Sequence, residues 1–354
     1  MNPYRDLPGR SFWKPAVGER EPLAISDIWT PKFGFDKSHR IATFGSCFAQ
    51  HFSRALTRLG YSWFDGEPAP DMFSEDVCRR YGYRLFSART GNIYTAQCFR
   101  QWIDWALEPE TAPDEVWVGD GRCIDPLRPT IQPDGFADEE RMRRGRRITL
   151  AALRRVIETS DRLVFTLGLT EAWRNRETGV VYPLCPGVAG GDYDPDSHEF
   201  HNYTHSEILS ELNGAIATLR GINPSLGILL TVSPVPLTAT ATGGHVLVAT
   251  TYSKSVLRAV AGEIAADLPF VDYFPSYELV TSPLYRGPFY NANARTISAD
   301  GVDFVMSSFF ASQDGSEDTS SRSEAEPHNG GKTHRDEDLA EDEICDDVML
   351  DAFR

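Results

Sequence analysis

The apolar run Ile41-Ala42-Thr43-Phe44 breaks at Gly45, and Ser46 and Cys47 follow at once. Behind them Phe48, Phe52, Ala55, Leu56 and Leu59 recur at helical spacing. A serine on such a strand-to-helix turn holds its hydroxyl at the sheet edge, beside free backbone N–H groups and the positive end of a helix dipole. These surroundings suit the oxyanion of acyl transfer, with Ser46 as nucleophile. The same position also suits an ordinary helix N-cap. Cys47 shares the helix N-terminus, where a thiol pKa falls. Neighbouring side chains diverge, however, and Cys47 is expected to pack beneath the turn. His198, His201 and His205 follow Asp194 and Asp196 at a spacing that a metal could use. No helical frame supports that pattern, so neither a metal nor a cofactor is expected.

These residues need elements to position them. IATFG, DRLVFTLG (161–168), GILLTVSP (227–234) and FVDYF (270–274) are nearly continuous apolar runs, the mark of strands buried on both faces. Helical spacings separate them. Thr204 and Glu207 form a capping box ahead of Ile208, Leu209, Leu212, Ile216 and Leu219. Val256, Leu257, Val260 and Ile264 mark a second helix, and Val302, Val305, Met306, Phe309 and Phe310 a last one. Strands alternating with helices predict an α/β fold with a doubly wound parallel sheet. In such folds ligands gather beyond the carboxyl ends of the strands, where Ser46 lies. Residues 1–37 read as an irregular arm, 38–311 as the folded domain, and 61–160 and 174–204 as the regions holding insertions.

G-S-C-F-A at 45–49 resembles the signature of the GSCFA-domain family. The resemblance continues through G-N-I-Y-T (91–95), T-L-G-L-T-E-A-W (166–173), T-V-S-P-V-P (231–236), S-K-S-V-L-R (253–258), Y-F-P-S-Y-E (273–278) and G-V-D-F-V-M (301–306). It covers roughly residues 38–311. That family is itself similar to the SGNH-type hydrolases, which implies a flavodoxin-like three-layer sandwich with insertions. The wider resemblance implies Ser46 as nucleophile and Gly91, or its neighbour Asn92, as the oxyanion donor. Thr170 occupies the place of the usual Asn, with Glu171 after it as a capping or orienting group. Ser46, Gly91 and Thr170 are then expected to converge on one pocket.

One block departs from the wider pattern. Where SGNH-type enzymes carry Asp-x-x-His, this chain reads Asn293-Ala294-Arg295-Thr296, and both titratable groups are missing. A serine without a base is a weak nucleophile. Among the histidines, His245 and His198 are the two expected to reach the pocket from its loops. His245 ranks first, because Gly243 and Gly244 beside it let the backbone approach closely. Glu278 is then the carboxylate expected to hold its tautomer.

Net charge is −16, of which residues 312–354 supply −10 from fourteen Asp/Glu and four Lys/Arg. An acidic balance opposes general nucleic-acid binding. The acidic segment holds too few apolar residues to offset its ordering entropy and is expected to be a disordered tail. Within it, residues 344–353 regain enough apolar character to dock a protein partner. The arginines at 141, 143, 144, 146, 147, 154 and 155 read as a solvated helix face. No stretch reaches the ~20 apolar residues that span a bilayer, and no secretory leader is recognisable. The six cysteines are scattered without a C-x-x-C pair, so a reduced cytoplasmic protein is expected. Two functions fit. One is a serine-dependent ester-bond enzyme, an esterase, deacylase or O-acyltransferase acting on an acylated glycan or small molecule. The other is a catalytically weakened binding or scaffold module whose acidic tail recruits a partner.

Overall fold

A computed structural model describes residues 2–313. Apart from Ser312 and Gln313, the acidic segment expected to be disordered, with its docking residues 344–353, lies outside the described residues.

Nine strands and eight α-helices are described. The strands are β1 (Ile41–Gly45), β2 (Trp117–Gly119), β3 (Arg122–Ile124), β4 (Arg162–Leu167), β5 (Glu171–Asn175), β6 (Val181–Tyr182), β7 (His198–Asn202), β8 (Gly227–Val232) and β9 (Val271–Phe274). The helices are α1 (Ala49–Arg58), α2 (Glu75–Arg80), α3 (Ala96–Leu107), α4 (Glu139–Thr159), α5 (His205–Ile222), α6 (Val246–Asp267), α7 (Ser276–Thr281) and α8 (Ala299–Ala311).

The four apolar runs form one parallel sheet in the order β1-β4-β8-β9. Side chains alternate between its faces, and the two faces feed two cores. Ala42, Phe44, Leu163, Phe165, Leu167, Ile228 and Leu230 face a core shared with α3, α4, α5 and α6, in which Phe99 stacks on Phe165 with ring centroids 3.9 Å apart. Ile41, Val164, Leu229 and Phe274 face a second core with α1, α7 and α8. Helices therefore cover both faces, as a parallel sheet requires. Beyond β1, residue Trp63 makes a single parallel bridge to Ile41.

The arm carries three short helical turns, Gly9–Ser11, Lys14–Gly18 and Pro22–Ala24, and its end is anchored. Trp29 packs on Phe274 and Phe309, and Phe35 on Phe309.

One region differs from the sequence reading. The stretch 61–160 holds α3 and α4, which are layers of the core rather than insertions. The arginine run of α4 is also not wholly solvated. Arg146 is buried and bonds the buried Asp125, which also holds Arg128 at 2.8 Å. Burial pushes the Asp125 carboxyl up, but the two guanidiniums outweigh it and hold it below the ordinary carboxylate range. The region after β4 carries the true insertion, a three-stranded antiparallel sheet in the order β6-β5-β7. No helix among the described residues is long and apolar enough to cross a membrane.

Candidate active site

Three neighbouring strands end together, and the residues that follow them, Ser46, Gly168 and Ser233, line one cavity of about 210 Å³. Close approach of the backbones makes this possible. Gly45 has a φ of +133°, and a Cβ there would collide with the backbone of Thr166. A Cβ on Gly168 would come within 3.0 Å of the Tyr94 carbonyl and 3.2 Å of Ser46 Cβ. The glycines thus let β4 and the Tyr94 segment press against the Ser46 turn.

Ser46 is 2 % exposed, and its Oγ has no hydrogen-bond partner among the described residues. Its backbone N–H donates to the Thr166 carbonyl at 3.1 Å. The hydroxyl does not cap α1, whose N-cap is Phe48 without a side-chain bond. A buried hydroxyl that forgoes a bond costs about 1–3 kcal/mol, and such groups gather where a ligand supplies the partner. Cys47, expected beneath the turn, lines the same cavity.

The cavity also holds a lysine. Lys254 projects from α6, is 1 % exposed, and donates from Nζ to the Gly168 carbonyl at 2.5 Å. Burial pulls its ammonium down to about 7; neighbouring Cys47 opposes that shift and Arg295 adds to it. Near neutral pH a large share of Lys254 therefore carries a free lone pair, the state a general base needs. Lys254 was not picked out from the sequence, yet a signal was there. It stands three residues before Leu257 and seven before Ala261, on the buried stripe that continues to Ile264. A lysine on an apolar helix stripe has to be either paired or neutral.

The residues expected at the site are dispersed. Glu171 lines the cavity, and its carboxylate accepts from Thr240 Oγ1 at 2.7 Å and from the Ala241 N–H at 3.3 Å. It thereby ties residues 240–241 to the start of β5. Gly91 and Asn92 line a separate, smaller depression that shares Tyr94, Pro183 and Leu184 with the main cavity. Asn92 Nδ2 donates to the Tyr94 hydroxyl at 3.0 Å. Thr170 is fully buried and is not among the lining residues; its hydroxyl donates to Asn202 Oδ1 at 2.7 Å. The three residues expected to meet in one pocket therefore do not do so. His245 is exposed and caps α6, its Nδ1 accepting from the Leu247 N–H at 3.1 Å. His198 sits in β7 with its Nδ1 accepting from the Asp194 N–H at 3.2 Å, beside the rings of Tyr182 and Tyr193. Neither imidazole lines the cavity. Glu278 bonds Arg258 and accepts from the Tyr273 hydroxyl at 2.7 Å, so it is committed away from His245. His201 and His205 engage Glu207 and Glu263 separately. Among the described residues no three His, Cys, Asp or Glu are grouped to hold a metal ion.

The GSCFA family model matches residues 40–309, most of the chain. The chain belongs to the GSCFA family. No curated protein and no solved structure matches it. In this GSCFA protein the G-S-C-F-A residues are the turn that carries the unpartnered Ser46 hydroxyl, and the S-K-S-V-L-R residues carry Lys254. Arg295 comes from the Asn293–Thr296 block and also lines the cavity.

Proposed function

We propose that this GSCFA protein is a serine-dependent ester-bond enzyme, an esterase or O-acyltransferase for an acylated glycan or small molecule, with Lys254 as its base. The observation that carries the reading is the buried, unpartnered Ser46 hydroxyl in a cavity shared with a desolvated lysine. The fold reading behind it is flavodoxin-like and SGNH-like. Its support is the Trp63 bridge outside β1, which adds a rudimentary second position to the sheet. The spatial order then becomes Trp63 segment-β1-β4-β8-β9, a doubly wound order whose switch point lies between β1 and β4, beside the cavity.

The chemistry follows from the two side chains. Ser46 Oγ attacks the acyl carbonyl carbon as its proton passes to the neutral Lys254 amine. The new Oγ–C bond gives a tetrahedral intermediate, whose negative oxygen lies near the positive end of α1. Collapse breaks the bond to the leaving oxygen, which takes the proton back from the Lys254 ammonium. Water or an acceptor hydroxyl then repeats the sequence on the acyl-Ser46 ester. A serine–lysine pair is an established variant of the serine–histidine arrangement, and it accounts for a site without a lining imidazole.

A serine-reactive fluorophosphonate probe tests the reading. Wild type is expected to label, Ser46→Ala not at all, and Lys254→Met ~10²–10⁴-fold more slowly. Absence of labelling in wild type across pH 6–10 would refute it and favour a non-catalytic binding module.

A further inference from the structure

The solvent face of α4 is a stripe of one charge. Arg144, Arg147, Ala151, Arg154 and Arg155 recur at helical spacing opposite the buried Met142, Leu150, Leu153 and Val156, and all five are exposed. Arg154 pairs with Glu158. Arg155 donates only to the backbone carbonyls of Gly66 and Ala151. Arg144 and Arg147 have no hydrogen-bond or ion-pair partner among the described residues. They stand three apart on the helix, where like charges repel, and between Glu140 and Glu158 the helix carries no carboxylate to relieve them. Ile148 lies among the guanidiniums and is 52 % exposed. A basic face with an apolar centre is thus left open on a chain whose net charge is −16.

The complementary charge is in the same chain. Residues 336–351, outside the described residues, hold nine Asp/Glu and no Lys/Arg, interleaved with Leu339, Ile344, Val348, Met349 and Leu350. The described chain ends on the side of the sheet where α4 ends. Gln313 Oε1 accepts from the Phe35 N–H at 2.9 Å, and the neighbouring Gly34 carbonyl accepts from Arg162 Nε at 2.9 Å. Arg162 opens β4 three residues after Thr159 closes α4. Asp336 lies 23 residues beyond Gln313, a span of at most ~75–80 Å, against ~30 Å for the whole of α4. The acidic segment therefore reaches every arginine of the stripe. A tethered segment meets its site at a raised effective concentration, so exposed ion pairs too weak to hold a free peptide suffice. Guanidiniums also bond carboxylates bidentately, which favours Asp and Glu as the cover for this face.

We propose that the acidic segment 336–351 docks across the arginine stripe of α4 in its own chain, its carboxylates pairing with Arg144, Arg147 and Arg155 and its apolar residues meeting Ile148. The proposal is independent of the Ser46 chemistry. Photo-cross-linking of the full chain with benzoylphenylalanine in place of Ala151, followed by peptide mapping and sizing of the product, tests it. Wild type is expected to cross-link to residues 336–351 within a single chain. Arg144→Glu with Arg147→Glu, two exposed positions without described partners, is expected to lower that yield ~5–30-fold. Raising the salt to about 1 M, where charges are screened beyond ~3 Å, is expected to lower it as well. A second variant leaves the folded body untouched: replacing the nine carboxylates of 336–351 by their amides is expected to lower the yield by a similar factor. Cross-links that map only to other residues overturn the proposal. So does a product of twice the chain mass, which would place a second copy's acidic segment on the stripe. Wild-type yield in either the glutamate or the amide variant overturns it too.

Discussion

Lys254 Nζ bonds the carbonyl of Gly168, the residue whose α-carbon faces Ser46 Cβ. The Ser46 turn and the Lys254 amine are thus fixed to the same point of the backbone, one from the end of β1 and the other from α6. The amine's lone pair is available only when the proton is gone, and burial has already brought that event to about 7.

The rate of Ser46 acylation is therefore expected to rise with pH through about 7 and then level off. Lys254→Met should remove that rise as well as most of the rate. His245→Ala and His198→Ala, both away from the cavity lining, should keep the wild-type profile. Stopped-flow phosphonylation from pH 5 to 10 gives each curve. Loss of the rise in either histidine variant, or its survival in Lys254→Met, would move the base off Lys254.

Stability carries the same signature. The unfolded lysine titrates near 10.5 and the folded one near 7, so between those values only the unfolded chain holds the proton. Stability then increases with pH across that window, is complete above it, and is lost as pH falls to about 7. Calorimetric Tm from pH 6 to 10 should show wild type gaining on Lys254→Met as pH rises. A constant difference between the two proteins would mean that the buried amine is not neutral.

Gly168→Ala should separate geometry from folding. The added methyl meets Tyr94 and Ser46 at 3.0–3.2 Å and has to push one of them aside. Overpacking of this kind costs about 1–3 kcal/mol. Displacing the nucleophile by about 1 Å costs on the order of 10²-fold in rate. Labelling kinetics beside urea denaturation would read both effects.

Asp125→Ala should be among the most damaging single changes. It strands Arg128 and Arg146 in the interior, an expected loss of about 3–5 kcal/mol. Arg141→Ala, on the exposed side of α4 with a solvated partner in Asp138, should stay within about 0.5 kcal/mol. Urea unfolding of the two variants checks the contrast.

The sheet was legible because buried parallel strands are apolar on both faces. IATFG matches β1 residue for residue, and the other three runs differ from their strands by one or two residues at the ends. The Thr204–Glu207 capping box is present as read. Helix α4 was harder, since its arginines disguise a buried stripe through Met142, Leu150, Leu153 and Val156. At the site, Ser46 could be found because a strand-to-helix turn announces itself locally. Lys254 and Arg295 could not be assigned to the same cavity, since they reach it from elements 41 residues apart with no local pattern in common. The histidines misled for the converse reason. His245 does follow the correct strand, but a cap on α6 satisfies its ring before the cavity is reached.

The insertion after β4 enters and leaves the core at one point. Thr170 bonds the Asn202 side chain, and the Tyr203 N–H donates to the Thr170 carbonyl at 2.9 Å. The intervening strands supply Trp173, Tyr182 and Phe200 to the cavity but neither Ser46 nor Lys254. A segment clasped at its stem can be lengthened, shortened or exchanged while Ser46 and Lys254 stay in register. Divergence within the family would then rewrite what is accepted without rewriting how it reacts, and residues 171–202 are the cassette to transplant when a new preference is wanted.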